Sequence, residues 1–188
     1  MTPPRFTLIA GANGCGKTTL ASDPSLFRDI PVLNPDAIGK TLQSSLQSTF
    51  PIAAARTVLN AAKDHIRRKE SFAVETTLSG RGYLQMMRQA RRSGFEIVLV
   101  YIGTEDVEIN LARIKNRVLA GGHDVPEEDV RRRFGRSFAN LPAAIKRADH
   151  SILFDNSTED GYRLFAVIGA TDHLWLRPPP HWAKDVAP

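Results

Sequence analysis

The sequence predicts an α/β fold built on a parallel five-stranded sheet, with helices on both faces, a helical lid and extra C-terminal edge strands. Three observations carry that prediction. Short apolar runs alternate with longer segments of helical period. The first run, FTLIA, passes directly into a glycine-rich loop, GANGCGKT, and then into a helical segment. The run EIVLVYIG is almost continuous in Ile, Val and Leu, the pattern of a strand buried on both faces.

Each element follows in chain order. FTLIA is the first strand and KTTLASDPSL begins the first helix. PVLN is a short second strand, and NPDAIGKTLQSSL opens the next helix, with Asn34 suited to the N-cap and Pro35 to the first helical position. PIAAARTVLNAAKDHIRRKE is a long helix that again starts on proline. FAVETT is the third strand, and GYLQMMRQARRSG is a helix stopped by Gly94. After the fourth strand, EIVLVYIG, a helix places Val107, Leu111, Ile114 and Val118 on one stripe. The following helix does the same with Val130, Phe134, Phe138, Leu141 and Ile145. SILFD is the fifth strand, and YRLFAVIGATDHLWLRPPPHW supplies one or two edge strands and a proline-rich end. The chain reads as a single domain over residues 1–188, with a core over about 5–157, a lid over about 113–136 and C-terminal strands from about 160.

Composition narrows the function classes. An apolar share of 42% over 188 residues is enough to bury a core. A net charge of +5 suits an anionic ligand but is too mild to argue for nucleic acid. A single cysteine excludes an internal disulfide framework. FTLIA is too short for a signal-peptide core, and no stretch has the length of a membrane span, so the chain is expected to be soluble and cytoplasmic.

The loop Gly11-Ala12-Asn13-Gly14-Cys15-Gly16-Lys17-Thr18 matches the phosphate-binding pattern GxxxxGK[ST] in full, with a strand before it and a helix after it. Glycines let backbone N–H groups curl round phosphates without Cβ clashes. Lys17 is placed to reach the β and γ oxygens, Thr18 to hold Mg²⁺, and Thr19 continues the helix N-terminus that favours anions. The expected ligands are therefore ATP and Mg²⁺. Cys15 reads as a small filler within the loop rather than a redox switch.

A phosphotransferase also needs a carboxylate near the acceptor hydroxyl. Asp36 follows the second strand, Glu75 ends the third and Asp155 ends the fifth, and strand ends are where α/β sheets place ligands. Asp36 also suits a helix start, and Asp155-Asn156-Ser157 is ordinary turn chemistry, so Asp36 and Glu75 are the stronger candidates. From Arg113 to Arg136 the chain carries Arg113, Lys115, Arg117, Arg131, Arg132, Arg133 and Arg136, interrupted by GGHDVP. Two glycines and a proline between helices make an elbow of the kind a closing lid uses. Arg117 and Arg131 are the arginines expected to stabilise a transferring phosphoryl group, whereas Arg132 and Arg136 read as a solvated face.

GANGCGKTT, NPDAI, VETTLSG, VYIGT, RVLAGGHDVPEEDVRRRF, NLP and SILFDNS together cover most of residues 5–157. In this order and spacing they resemble the short, single-domain branch of the zeta toxin family of P-loop kinases. That resemblance implies a P-loop nucleoside-triphosphate hydrolase fold with an adenylate-kinase-like core. It implies transfer of the γ-phosphate of ATP to a sugar nucleotide, UDP-N-acetylglucosamine in the well-known toxins, and an antitoxin protein as a possible partner. In these terms Lys17 and Thr18 serve the nucleotide and the metal, and Asp36 is the base on the acceptor hydroxyl. Glu75, Thr76 and Thr77 belong to the acceptor pocket, and Arg117 with one of Arg131 to Arg133 are the lid arginines, Arg133 being on the acceptor side. Two alternatives stay open: an ATPase that releases free phosphate with Asp155 on the metal, and a kinase for another small metabolite or a polynucleotide end.

Overall fold

The computed structural model describes residues 2–27, 30–34 and 50–184. Its sheet has seven strands in the order β2-β3-β1-β4-β5-β6-β7. The strands are β1 (Arg5–Ala10), β2 (Val32–Leu33), β3 (Phe72–Thr76), β4 (Glu96–Gly103), β5 (His150–Asp155), β6 (Arg163–Gly169) and β7 (His173–Trp175). The first five run parallel, and β6 and β7 add antiparallel at one edge, as the sequence predicts. The described helices are α1 (Lys17–Ala21), α2 (Pro24–Phe27), α3 (Phe50–Arg68), α4 (Gly82–Arg92), α5 (Val107–Leu119) and α6 (Glu127–Ile145). The architecture is a P-loop kinase-like α/β fold with a mixed sheet. The helix expected to open at NPDAI, with Pro35 and Asp36, lies outside the described residues.

β1 sits at the centre because its apolar run is flanked by two others on parallel partners. Phe6, Leu8 and Ile9 are fully buried, and so are Phe72 and Val74 of β3 and Ile97, Leu99 and Ile102 of β4. Ridges of α3 and α4 cover one face through Val58, Ala62, Leu84 and Met87. The crossover topology puts neighbours β3 and β4 on opposite sides of β1, which opens a crevice at their C-terminal ends. That crevice receives the glycine-rich loop.

α5 is capped by Asp106, whose carboxylate accepts from the Glu108 N–H at 3.1 Å. Its apolar stripe docks on α6 through Ile114 and Val130, with Val125 from the elbow between them. Val118, expected on the same stripe, is 36% exposed and lies outside that cluster. Gly121 stops it in the left-handed region at φ 82, and its N–H bonds the Val118 carbonyl at 2.9 Å. Gly122 follows because a Cβ there would lie 2.5 Å from the Arg117 side chain. The GGHDVP elbow is thus an ordered helix stop as well as a connection.

The proline-rich end folds back onto the core. Trp182 packs among Tyr101, Phe138 and Phe165, with ring centroids 5.4 to 5.8 Å apart. Gly103 makes room for it, since a Cβ there would lie 2.4 Å from the indole.

Candidate active site

The loop between β1 and α1 is a curled backbone with glycine wherever the chain needs a positive φ. Gly11, Gly14 and Gly16 have φ of 145, 78 and 102. A Cβ at Gly11 would lie 2.3 Å from the Ile102 carbonyl oxygen, so the loop also fits too closely against β4 for any side chain. Cys15 is fully buried, and burial pushes its thiol up. A protonated thiol of that kind is a packing group, in keeping with the filler reading.

Lys17 is 8% exposed and folds over the loop, donating from Nζ to the Ala12 carbonyl at 2.8 Å. Thr18, at the second position of α1, donates from Oγ1 to Glu75 Oε1 at 2.7 Å. Glu75 is 5% exposed at the end of β3, and its other oxygen accepts from Asn34 Nδ2 at 2.7 Å. A buried carboxylate here is tolerated because two donors hold it. Asn34, read from sequence as an N-cap, therefore holds the carboxylate from the end of β2. Glu75, expected in the acceptor pocket, bonds Thr18 of the glycine-rich loop and Asn34.

A hydroxyl and a carboxylate in contact are hard oxygen ligands of the kind Mg²⁺ prefers. Among the described residues there is no cluster of three His, Cys, Asp or Glu side chains that could hold a metal ion.

Asp155, the other strand-end acid, is 3% exposed, and both its oxygens accept hydrogen bonds. Ser157 donates to Oδ1 at 2.5 Å, Trp182 Nε1 to Oδ1 at 3.0 Å and Arg163 to Oδ2 at 2.8 Å. These contacts tie β5, β6 and the C-terminal segment together, and they argue for a structural acid rather than a metal ligand.

Beyond β3, Thr76 Oγ1 accepts from the Leu78 N–H at 3.1 Å, and Thr77 Oγ1 meets Ser79 Oγ at 2.9 Å. Leu78 adopts φ 55, a rare region for leucine, while its side chain is fully buried and its carbonyl accepts from Asn140 at 2.8 Å. Burial and that bond hold the backbone of the VETTLSG loop in one shape.

The arginines of α5 and α6 are held by partners on these helices, on the elbow between them or beside them. Arg117 donates to the His123 carbonyl at 2.7 Å. Arg131 bridges Glu108 and Glu127, each at 2.6 Å, and so links α5 to α6. Arg132 and Arg133 both pair with Asp129. The structure therefore does not bring Arg117, Arg131 or Arg133 to Lys17 and Thr18. Arg113 is the lid arginine that reaches the phosphate-loop side, donating to the Asn156 carbonyl at 2.8 Å and to the Thr158 carbonyl at 3.2 Å.

Three residues that the sequence reading passed over bond the loop itself: Asn110, Asn156 and Tyr162. An open cavity of about 800 Å³ adjoins the last of them, lined by Thr158, Tyr162, Arg163, Leu176 and Arg177 among others. Lys17, Thr18 and Glu75 are not in its lining.

The family model described as an AAA domain, AAA_33, matches residues 6–139, and the chain belongs to that family. An uncharacterized protein of Haemophilus influenzae is 39% identical over 124 residues, which cover 66% of this chain and 88% of that protein. The fold is also similar to a chain of the AvrRxo1-ORF1:-ORF2 crystal structure with ATP, with a TM-score of 0.72 and 18% identity. That match covers 92% of this chain and 60% of the other, so the chain spans about three fifths of that protein's length. The PezAT chromosomal toxin-antitoxin system of Streptococcus pneumoniae matches with a TM-score of 0.64 and 14% identity, covering 89% of this chain and 72% of that one.

Proposed function

We propose that this AAA_33-family chain is an ATP-dependent small-molecule kinase that transfers the γ-phosphate of ATP to a hydroxyl of a sugar nucleotide. The observation that carries the proposal is the Thr18–Glu75 pair at 2.7 Å, set beside Lys17 in a complete phosphate loop. That grouping supplies backbone amides, one ammonium, one hydroxyl and one carboxylate at the end of the central strands. Phosphoryl transfer asks the protein for little else than position and charge.

The roles follow from chemistry at named atoms. The loop amides and the α1 N-terminus receive the β and γ phosphates. Lys17 exchanges its bond to the Ala12 carbonyl for phosphate oxygens. Mg²⁺, when bound, neutralises phosphate charge, and Thr18 with Glu75 are the residues that would hold it. Asp36 is assigned to orient the acceptor hydroxyl. As the new O–P bond forms and the bond to the ADP oxygen breaks, the hydroxyl proton passes to that carboxylate. Thr76 and Thr77, on the braced loop after β3, and Arg133 are assigned to the acceptor side. Arg117 and Arg131 are assigned to close over the γ-phosphate, leaving their present partners His123, Glu108 and Glu127.

An acceptor of UDP-N-acetylglucosamine type is supported by the motif resemblance, and a small anionic acceptor by the modest charge of +5. An antitoxin-like protein partner is supported by the AvrRxo1-ORF1:ORF2 and PezAT likenesses. No helix among the described residues is long and apolar enough to cross a membrane. The function is tested by following ADP release with and without candidate acceptors. Release that rises with acceptor and vanishes in Lys17→Ala supports the kinase. Release that ignores every acceptor supports an ATPase instead.

A further inference from the structure

The phosphate loop is gripped from outside by three side chains that come from three distant parts of the chain. Asn110, on the first turn of α5 and fully buried, donates from Nδ2 to the Asn13 carbonyl at 2.5 Å. Its own oxygen accepts from Thr104 Oγ1 at 2.5 Å, which fixes the amide's orientation. Asn156, directly after β5, donates from Nδ2 to the Cys15 carbonyl at 2.9 Å. Tyr162, directly before β6, donates from its hydroxyl to the Gly16 carbonyl at 2.6 Å.

A trans peptide points the carbonyl of one residue and the N–H of the next in opposite directions. Holding the carbonyls of Asn13, Cys15 and Gly16 outward therefore aims the N–H groups of Gly14, Gly16 and Lys17 inward. The glycines match the grip as well as the backbone angles. A Cβ at Gly14 would lie 2.6 Å from the Asn110 carbonyl oxygen. A Cβ at Gly16 would lie 2.7 Å from the Tyr162 hydroxyl and 2.8 Å from Asn156 Nδ2.

We propose that Asn110, Asn156 and Tyr162 are positioning residues that hold the phosphate loop in its anion-receiving shape before nucleotide arrives. The proposal rests on the reading of this loop as the ATP site, and it gives the C-terminal extension a task. Tyr162 leads into β6, and Trp182 holds Asp155, the neighbour of Asn156, through its indole N–H. The extension is then part of the nucleotide-binding machinery. A preformed set of amides avoids the cost of ordering the loop on binding, so its loss appears as affinity for the phosphate portion of the ligand.

Two near-isosteric variants test this, Tyr162→Phe and Asn156→Asp. The first keeps the ring against Phe154 and loses the hydroxyl, which bonds the Gly16 carbonyl and also meets Thr19 and the Leu20 N–H. The second turns a donor into a carboxylate facing a carbonyl. Calorimetric titration with MgATP, and separately with inorganic tripolyphosphate, reads the loop with and without the nucleoside. Thermal midpoints without ligand report on the fold. The expected result is about five- to tenfold weaker binding of both ligands by Tyr162→Phe, and a larger loss by Asn156→Asp. The ligand-free midpoint of Tyr162→Phe should stay close to that of the parent. Parent-like affinity in both variants overturns the proposal. So does a loss confined to MgATP, which would place the effect at the nucleoside end. A parent protein that binds neither ligand overturns the ATP-site reading itself, and the proposal with it. Should Asn156→Asp fail to fold, Tyr162→Phe alone decides.

Discussion

Thr18 and Glu75 meet at 2.7 Å across the ends of α1 and β3, although 57 residues separate them in the chain. The contact joins the last residue of the phosphate loop to a carboxylate buried at the end of an apolar strand. Its consequence is a metal-dependent one. Glu75→Gln keeps the side-chain shape and an oxygen for Thr18, but removes the negative charge. Magnesium affinity of the ATP complex should fall about 10- to 100-fold, with ATP binding in EDTA nearly unchanged. Titrating Mg²⁺ into the ATP-loaded variant checks this, and parent-like Mg²⁺ dependence would remove Glu75 from the metal side.

Asp36 carries the acceptor chemistry in the proposal. Asp36→Asn should lower phosphoryl transfer by about 10²- to 10⁴-fold while ATP affinity stays at the parent value. Steady-state transfer and ATP titration on the same preparation separate the two effects. Near-normal transfer by that variant would move the base elsewhere.

Stability should decline on the alkaline side. Cys15 and Tyr101 are fully buried, and burial raises both above their ordinary values. Tyr83 is pushed up to about 12 by burial, partly offset by its bond to Thr76. Each of these groups is neutral when acidic and raised in the folded protein. The unfolded chain therefore releases its protons first, from about pH 8.5 for the thiol and about pH 10 for the phenols. Their contribution is complete below that range and is lost as pH rises through it, at up to about 1.4 kcal/mol per pH unit for each proton. Urea unfolding between pH 8 and pH 11 measures the slope, and Tyr83→Phe should flatten it near the upper end.

Trp182 joins the end of the chain to the core through three aromatic neighbours and the Asp155 carboxylate. Trp182→Ala should cost about 3–5 kcal/mol in urea unfolding. Trp182→Phe should cost less, since it keeps a ring in the cluster and leaves Asp155 with Ser157 and Arg163.

The order and type of the elements were legible in the sequence because they depend on local period and on glycine and proline punctuation. EIVLVYIG reads as a buried strand, and GANGCGKT between a strand and a helix matches the phosphate-loop pattern in full. What resisted reading was the pairing of polar side chains across the chain. Asn110 reaches Asn13 over 97 residues, Asn156 reaches Cys15 over 141 and Tyr162 reaches Gly16 over 146. One signal was available: Asn110 stands between Val107 and Leu111, where a buried helix position calls for an apolar residue unless it has partners. Glu75 was singled out correctly as a costly carboxylate, but only the sheet order, with β3 beside β1, shows that it faces Thr18. The lid arginines were visible as a cluster, yet a cluster does not say which acids hold it. Arg131 is occupied by Glu108 and Glu127, and that pairing depends on how α5 packs on α6.

The central claim is that this loop donates phosphate to an acceptor rather than releasing it to water. The direct measurement is mass spectrometry of a panel of UDP-sugars and nucleosides after incubation with the protein, ATP and Mg²⁺, with Lys17→Ala as control. The account predicts that a UDP-sugar gains one phosphoryl group with the parent protein and none with the control. ATP consumed to ADP and free phosphate, with every candidate acceptor unchanged, would contradict it.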